Sequence, residues 1–145
     1  MSAQILQLPP PKEKFSKQWD LLANWKATDP VPGELYDAVP AMREEGLKTI
    51  APATAEQMAI FLGMLEETAN ALRWPGLAPG AARLYVNALA DVPADLLALA
   101  LDRLVRDWTW PRLPTPADIR KTIADELSNR KIRVKRLHTV EIFWR

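Results

Sequence analysis

The run Trp108-Thr-Trp-Pro-Arg-Leu-Pro-Thr-Pro-Ala-Asp-Ile-Arg120 interrupts the most periodic part of this chain and then restarts it. On its N-terminal side Leu97, Leu101, Leu104, Val105 and Trp108 recur at the spacing of one helical face. Asp102, Arg103, Arg106 and Asp107 keep to the other side, while Leu96, Leu99 and Ala100 widen the apolar band. The pattern predicts a helix over about 93–108, packed on both flanks, with Pro93 in its first turn and Asp91 and Asp95 near its positive end. Pro111, Pro114 and Pro116 force an extended link, over which Trp108 and Trp110 can close. Thr115 then caps a further helix over about 116–129, with Pro116 first, Asp118 third, and Ile119, Ile123 and Leu127 along one line.

Upstream, Thr54-Ala-Glu-Gln57 has the form of a capping box, in which hydroxyl and amide side chains satisfy each other's backbone donors. It opens a helix over about 55–73 whose stripe is Met58, Phe61, Leu62, Leu65, Ala69 and Leu72. Trp74-Pro-Gly-Leu-Ala-Pro-Gly80 breaks that helix. A short helix over about 81–91 follows, with Ala81, Leu84, Tyr85, Ala88, Leu89 and Val92 on its inner side. The expectation is an all-α protein, a small bundle of about four helices, occupying 53–129.

Residues 1–52 hold seven of the thirteen prolines, and each removes a backbone donor and disfavours helix just before it. This region reads as a mostly extended, proline-rich arm. Within it, 13–27 has Phe15, Trp19 and Leu22 at helical spacing with Trp25 nearby, and 34–45 has Leu35, Tyr36, Val39 and Met42 but is interrupted by Pro40. The aromatic residues either complete the core or serve as anchors for a groove on another protein. The end of the chain, 130–145, reads as a basic tail whose alternation suits a strand and whose continuity suits a helix, closing on Phe143 and Trp144.

Charge is unevenly spread. Lys and Arg number 6 against 7 acidic residues in 1–52, 4 against 7 in 53–108, and 9 against 4 in 109–145. A basic end after an acidic middle points to an anionic or acidic partner, or to a solvated terminus. Cysteine is absent, which excludes disulfides, thiolate nucleophiles and Cys-based zinc sites. The first eight residues meet Pro9, Pro10 and Pro11 too soon for a signal peptide, and no apolar run approaches the roughly 20 residues of a membrane span. A soluble, cytoplasmic protein of one compact domain, without membrane contact, is expected.

Catalytic chemistry finds little footing. His138 is the sole histidine, so neither a Ser/His/Asp nor a Cys/His arrangement has its base in the ordinary way. The pairs Glu44/Glu45, Glu66/Glu67 and Asp125/Glu126 are adjacent on helices, pointing about 100° apart, and read as solvated faces. The five glycines are too scattered to cradle phosphate. No enzyme activity, metal or cofactor is expected.

Nucleic-acid binding fits better: Arg130, Lys131, Arg133, Lys135 and Arg136 fall within seven residues and could neutralise several phosphates, with Arg120 and Lys121 extending the patch and Phe143 and Trp144 stacking on bases. The proline-rich link is longer than the turn of a helix-turn-helix.

The runs Leu84-Tyr-Val-Asn-Ala-Leu-Ala-Asp-Val-Pro-Ala-Asp-Leu-Leu97, Ala100-Leu-Asp-Arg-Leu-Val-Arg106, Trp110-Pro and Pro114-Thr-Pro-Ala-Asp-Ile-Arg120 together resemble small phage and prophage proteins of the replicative-helicase loader/inhibitor type. The resemblance covers about half the chain. It implies an all-helical domain that binds a hexameric replicative helicase through a flexible segment and controls its loading or activity. The chain departs from the pattern in carrying its long proline-rich segment at the N-terminus and in the interposed Arg112-Leu113. Trp19 and Trp25 in the arm, and Phe143 and Trp144 in the tail, are the expected partner-binding anchors, since buried aromatics carry much of an interface's energy. The alternatives are a direct nucleic-acid binder and a structural or assembly protein.

Overall fold

The computed structural model describes residues 15–143, so the three prolines at 9–11 and the expected anchor Trp144 lie outside the described residues. Seven helices and no strand are found among the described residues: α1 (Ser16–Asn24), α2 (Gly33–Thr49), α3 (Ala55–Leu72), α4 (Ala81–Ala88), α5 (Ala94–Asp107), α6 (Pro116–Thr122) and α7 (Ala124–Phe143). The all-α expectation holds, and the count of about four helices does not. None of the helices is long and apolar enough to cross a membrane.

The described chain divides into two compact units, Ala51–Glu126 and a second made of 15–50 with 127–143, where a single domain is expected from its length. In the first unit α5 packs against α3 and α6, and α4 against α6. Leu96, Leu97, Ala100, Leu101 and Leu104 of α5 are all buried, as are Met58, Phe61, Leu65 and Ala69 of α3. Four residues of the expected inner faces are outside instead: Leu72 (50% exposed), Leu84 (67%), Ala88 and Val105 (62%). Leu84 and Val105 each stand about 100° round the helix from a buried neighbour, Tyr85 or Leu104, and α4 is too short to bury more than one line.

The helix ends follow their local chemistry. At α3 the Thr54 hydroxyl accepts from the Gln57 amide (3.1 Å) and Gln57 Oε1 accepts from the Thr54 amide (2.9 Å). The helix closes on Arg73 in the left-handed region (φ 59°), an unusual place for a residue with a Cβ. The loop over 74–80 is then tied back by the Leu77 amide, which donates to Glu66 Oε1 (2.6 Å). Glu66, read as a solvated carboxylate, is therefore a loop anchor.

The expected helix over 116–129 is two helices, broken at Ile123 (φ −120°, ψ 14°) with neither glycine nor proline at the break. The cause is tertiary. Arg103 of α5 donates to the Thr122 carbonyl (2.8 Å) and pairs with Glu126, so the end of α6 receives a donor from another helix. Ile119, Ile123 and Leu127 are all buried despite the break.

The second unit corrects the expected extended arm. Trp19, Leu22, Trp25, Val31, Leu35, Val39 and Met42 bury against one another and against Leu137 and Val140 of α7. Pro40 lies inside α2 without ending it, because it stands on the exposed side, where water can replace the missing donor. Gly46 is buried where a Cβ would come within 3.2 Å of Val134 Cγ2 and 3.4 Å of the Trp19 ring, so its lack of a side chain allows the close approach. The basic tail, left open between helix and strand by its sequence, is helical through Phe143.

Candidate docking surface at the tryptophan-proline link

Trp108 ends α5 by turning to extended backbone (φ −77°, ψ 123°), and its indole Nε1 donates to the Arg112 carbonyl (2.7 Å). The Arg112 guanidinium lies 5.1 Å from the Trp108 ring centroid and 5.9 Å from that of Trp110, a cation held against two π-faces. It also donates to the Leu113 carbonyl (3.1 Å) and to Asp118 Oδ2 (3.4 Å). Leu113 and Pro114 turn inward and are buried, and the Tyr85 hydroxyl donates to the Pro114 carbonyl (2.7 Å). The link expected to be extended bends over 110–112, and it is fastened at both ends and in its middle.

Asp118 joins this loop to α6. It accepts from the Thr115 amide and hydroxyl (2.8 Å each), while its own amide donates to Thr115 Oγ1 (3.2 Å). The Thr115 amide, above all, holds the Asp118 carboxyl below the usual carboxylate range, against an opposing push from partial burial. Two residues on, Arg120 makes a bidentate pair with Asp91 (2.5 and 3.1 Å) and donates to the Ala88 carbonyl (3.1 Å). That hydrogen-bonded carboxylate raises the Arg120 pKa further above its already high ordinary value. Burial raises the Tyr85 pKa, with the charge of Asp118 adding to it and that of Arg112 opposing.

What this fastening leaves outside is a large indole beside a mixed polar and apolar cleft. Trp110 is 60% exposed on a loop that cannot fold it away. A cleft of about 420 Å³ has Leu104, Trp108, Trp110 and Thr122 in its lining, with Asp107 and Lys121 among its charges. A narrower apolar depression shares Trp108 and Leu104 with it and is bordered by Leu65, Trp74, Val105 and Leu113. This surface offers contact area and fixed shape. Among the described residues no three His, Cys, Asp or Glu side chains gather as metal ligands do.

Trp19, Trp25 and Phe143 and the cations of 130–136 are distributed within the second unit. Trp19 and Trp25 are 5% and 7% exposed, their surfaces used inside. Phe143 is 60% exposed and meets Trp25 edge-on, with centroids 6.2 Å apart. Arg130 donates to the Thr49 carbonyl at the end of α2 (2.9 Å). Arg136 donates to the Leu22 carbonyl (3.2 Å from Nε, 2.9 Å from Nη2) and to that of Trp25, both at the end of α1. Helix C-termini leave carbonyls unpaired and carry partial negative charge, which a guanidinium fork satisfies. Arg133 lies over the Trp19 ring at 5.3 Å. Lys131 and Lys135 are exposed on the same helix. Arg130 and Arg136 are thus half-buried against helix ends while Arg133 stays exposed over its ring, all three with partners 81 to 114 positions away in the chain.

Sequence reading singled out the tryptophan-proline run for its steric effect and missed the clasp of Arg112 between two indoles. The signal was present in the Trp-x-Trp-x-Arg spacing, which places a cation within reach of both rings. Comparisons with protein families, with curated proteins and with solved structures find no match to this chain.

Proposed function

We propose that this protein is a non-catalytic cytoplasmic adaptor that binds a replicative DNA helicase, or another replication protein, and governs its loading or activity. The observation that carries the reading is Trp110, a largely exposed tryptophan on a loop locked by Arg112, Asp118 and Tyr85. An aromatic residue already ordered before binding loses little entropy on docking, the condition under which such residues become energetic anchors. The choice of a helicase rests on the resemblance of the runs between 84 and 120, which include this loop. Phe143, exposed at the end of α7, is the second anchor.

Co-elution with light scattering tests the reading: the full chain is mixed with a bacterial hexameric replicative helicase, with and without ATP. A joint peak that survives Lys17→Ala and is lost on Trp110→Ala supports it. A joint peak indifferent to Trp110→Ala and lost on Phe143→Ala moves the anchor to the C-terminal helix. Separate peaks under all conditions remove the helicase as the partner.

A further inference from the structure

We propose that Arg130, Arg133 and Arg136 form a latent site for the phosphate backbone of nucleic acid, held closed by the C-terminal ends of α1 and α2. This inference stands on the second unit alone and does not rest on the adaptor reading. Positions 130, 133 and 136 span one side of α7, the side that also carries buried Leu137 and Val140. Arg130 and Arg136 are therefore half-buried in the seam that holds α7 to α1 and α2, and Arg133 lies exposed at its edge over the Trp19 ring. Arg130 reaches the last carbonyl of α2, Arg136 reaches two carbonyls at the end of α1, and Arg133 covers Trp19 between them in sequence.

The carbonyls that Arg130 and Arg136 reach are imitations of an anion. A helix C-terminus offers carbonyl oxygens with a partial negative charge, and a phosphodiester offers oxygens with a full one in a geometry the same guanidinium accepts. Phosphate is the stronger acceptor for each arginine taken singly, and what keeps the seam shut is the apolar burial of Leu137, Val140 and Trp19. A polyanion that binds only the open seam shifts the chain toward it by its differential affinity. Lys135, exposed on α7, supplies the first attraction.

The test uses the full chain and a fluorescently labelled oligothymidylate, with anisotropy read across a salt series. Leu137→Ala trims the seam without touching an arginine. It should raise affinity at least tenfold at low salt and steepen the log K against log salt slope by about 2, as three phosphate contacts on a single strand require. Adding Arg130→Gln, Arg133→Gln and Arg136→Gln to Leu137→Ala should return affinity and slope to those of the unaltered chain. If Leu137→Ala changes neither quantity, or if the added glutamines leave its gain intact, the proposal fails. Should Leu137→Ala lose its helical circular dichroism, hydrogen exchange on the unaltered chain decides. Saturating oligonucleotide must then accelerate exchange of the α1 amides, and unchanged protection overturns the proposal.

Discussion

Tyr85→Phe removes a single oxygen from the first unit, and the consequence can be worked from its surroundings. The ring is buried and the hydroxyl donates at 2.7 Å to the carbonyl of Pro114, itself a buried residue. Phenylalanine keeps the ring, so no cavity arises, but the carbonyl is stranded away from water. Losing the bond and leaving its acceptor unsatisfied costs about 1–2 kcal/mol. In a cooperative unit the size of Ala51–Glu126 that lowers the Tm by roughly 5–10 °C. The pH dependence carries a sign. Burial raises the Tyr85 pKa in the folded state above its ordinary value, so on the alkaline side the folded chain keeps a proton that the unfolded chain gives up. Stability from this group is complete below the unfolded pKa of about 10 and is lost as pH rises toward the folded one. The gap in Tm between the two proteins, followed by circular dichroism, should be widest near neutrality and narrow in strong alkali. A variant within about 1 °C of the parent at neutral pH would refute the reasoning, because a hydroxyl with no energetic role cannot be what fastens α4 to the link.

Thr115→Ala should cost about 1 kcal/mol through loss of the α6 cap. The Thr115 backbone amide, which does most to depress the Asp118 carboxyl, stays in place, so only the lesser hydroxyl contribution is lost and the carboxyl should titrate slightly higher, measurable by carboxyl NMR. Since the depressed Asp118 pKa gives stability that is present above its unfolded value and lost as pH falls through the folded one, acid unfolding should begin at slightly higher pH in the variant. Arg73→Gly should stabilise α3 by up to about 1 kcal/mol, because glycine adopts the left-handed conformation without a Cβ penalty; thermal melting would show a raised Tm. Glu66→Ala should leave α3 helical yet speed exchange of the Leu77 amide at least tenfold, and unchanged protection at Leu77 would mean that the loop over 74–80 is held by other contacts.

Much of the first unit was legible because its determinants are local. Thr54 with Gln57, and Thr115 with Pro116 and Asp118, announce helix starts within four residues. The stripes of Met58, Phe61, Leu65 and Ala69, and of Leu97, Leu101 and Leu104, show a buried face through spacing alone. In the second unit the helical spacings over 13–27 and 34–45 were legible too, and the reading of an extended arm around them fails for the complementary reason. Seven prolines argue for extension in 1–52, but helix α2 tolerates Pro40 once the face opposite it has Trp19, Leu137 and Val140 to bury against. Those partners come from both ends of the chain, and no local pattern announces their meeting. The same holds for the arginines: their spacing in 130–136 reads as a phosphate patch, and only the folded chain brings the ends of α1 and α2 within reach of Arg130 and Arg136.

By itself, then, the sequence determined that the chain is helical, where most helices of the first unit begin, and which residues form its apolar stripes, because capping and periodicity act over a few residues. Tertiary structure alone decided that α6 stops at Thr122, that Glu66 pins a loop, that Trp19 and Trp25 are interior, and that Trp110 is left outside. Each of those outcomes depends on a donor, an acceptor or a packing surface contributed from elsewhere in the chain, and burial is a property of what comes to lie opposite a side chain.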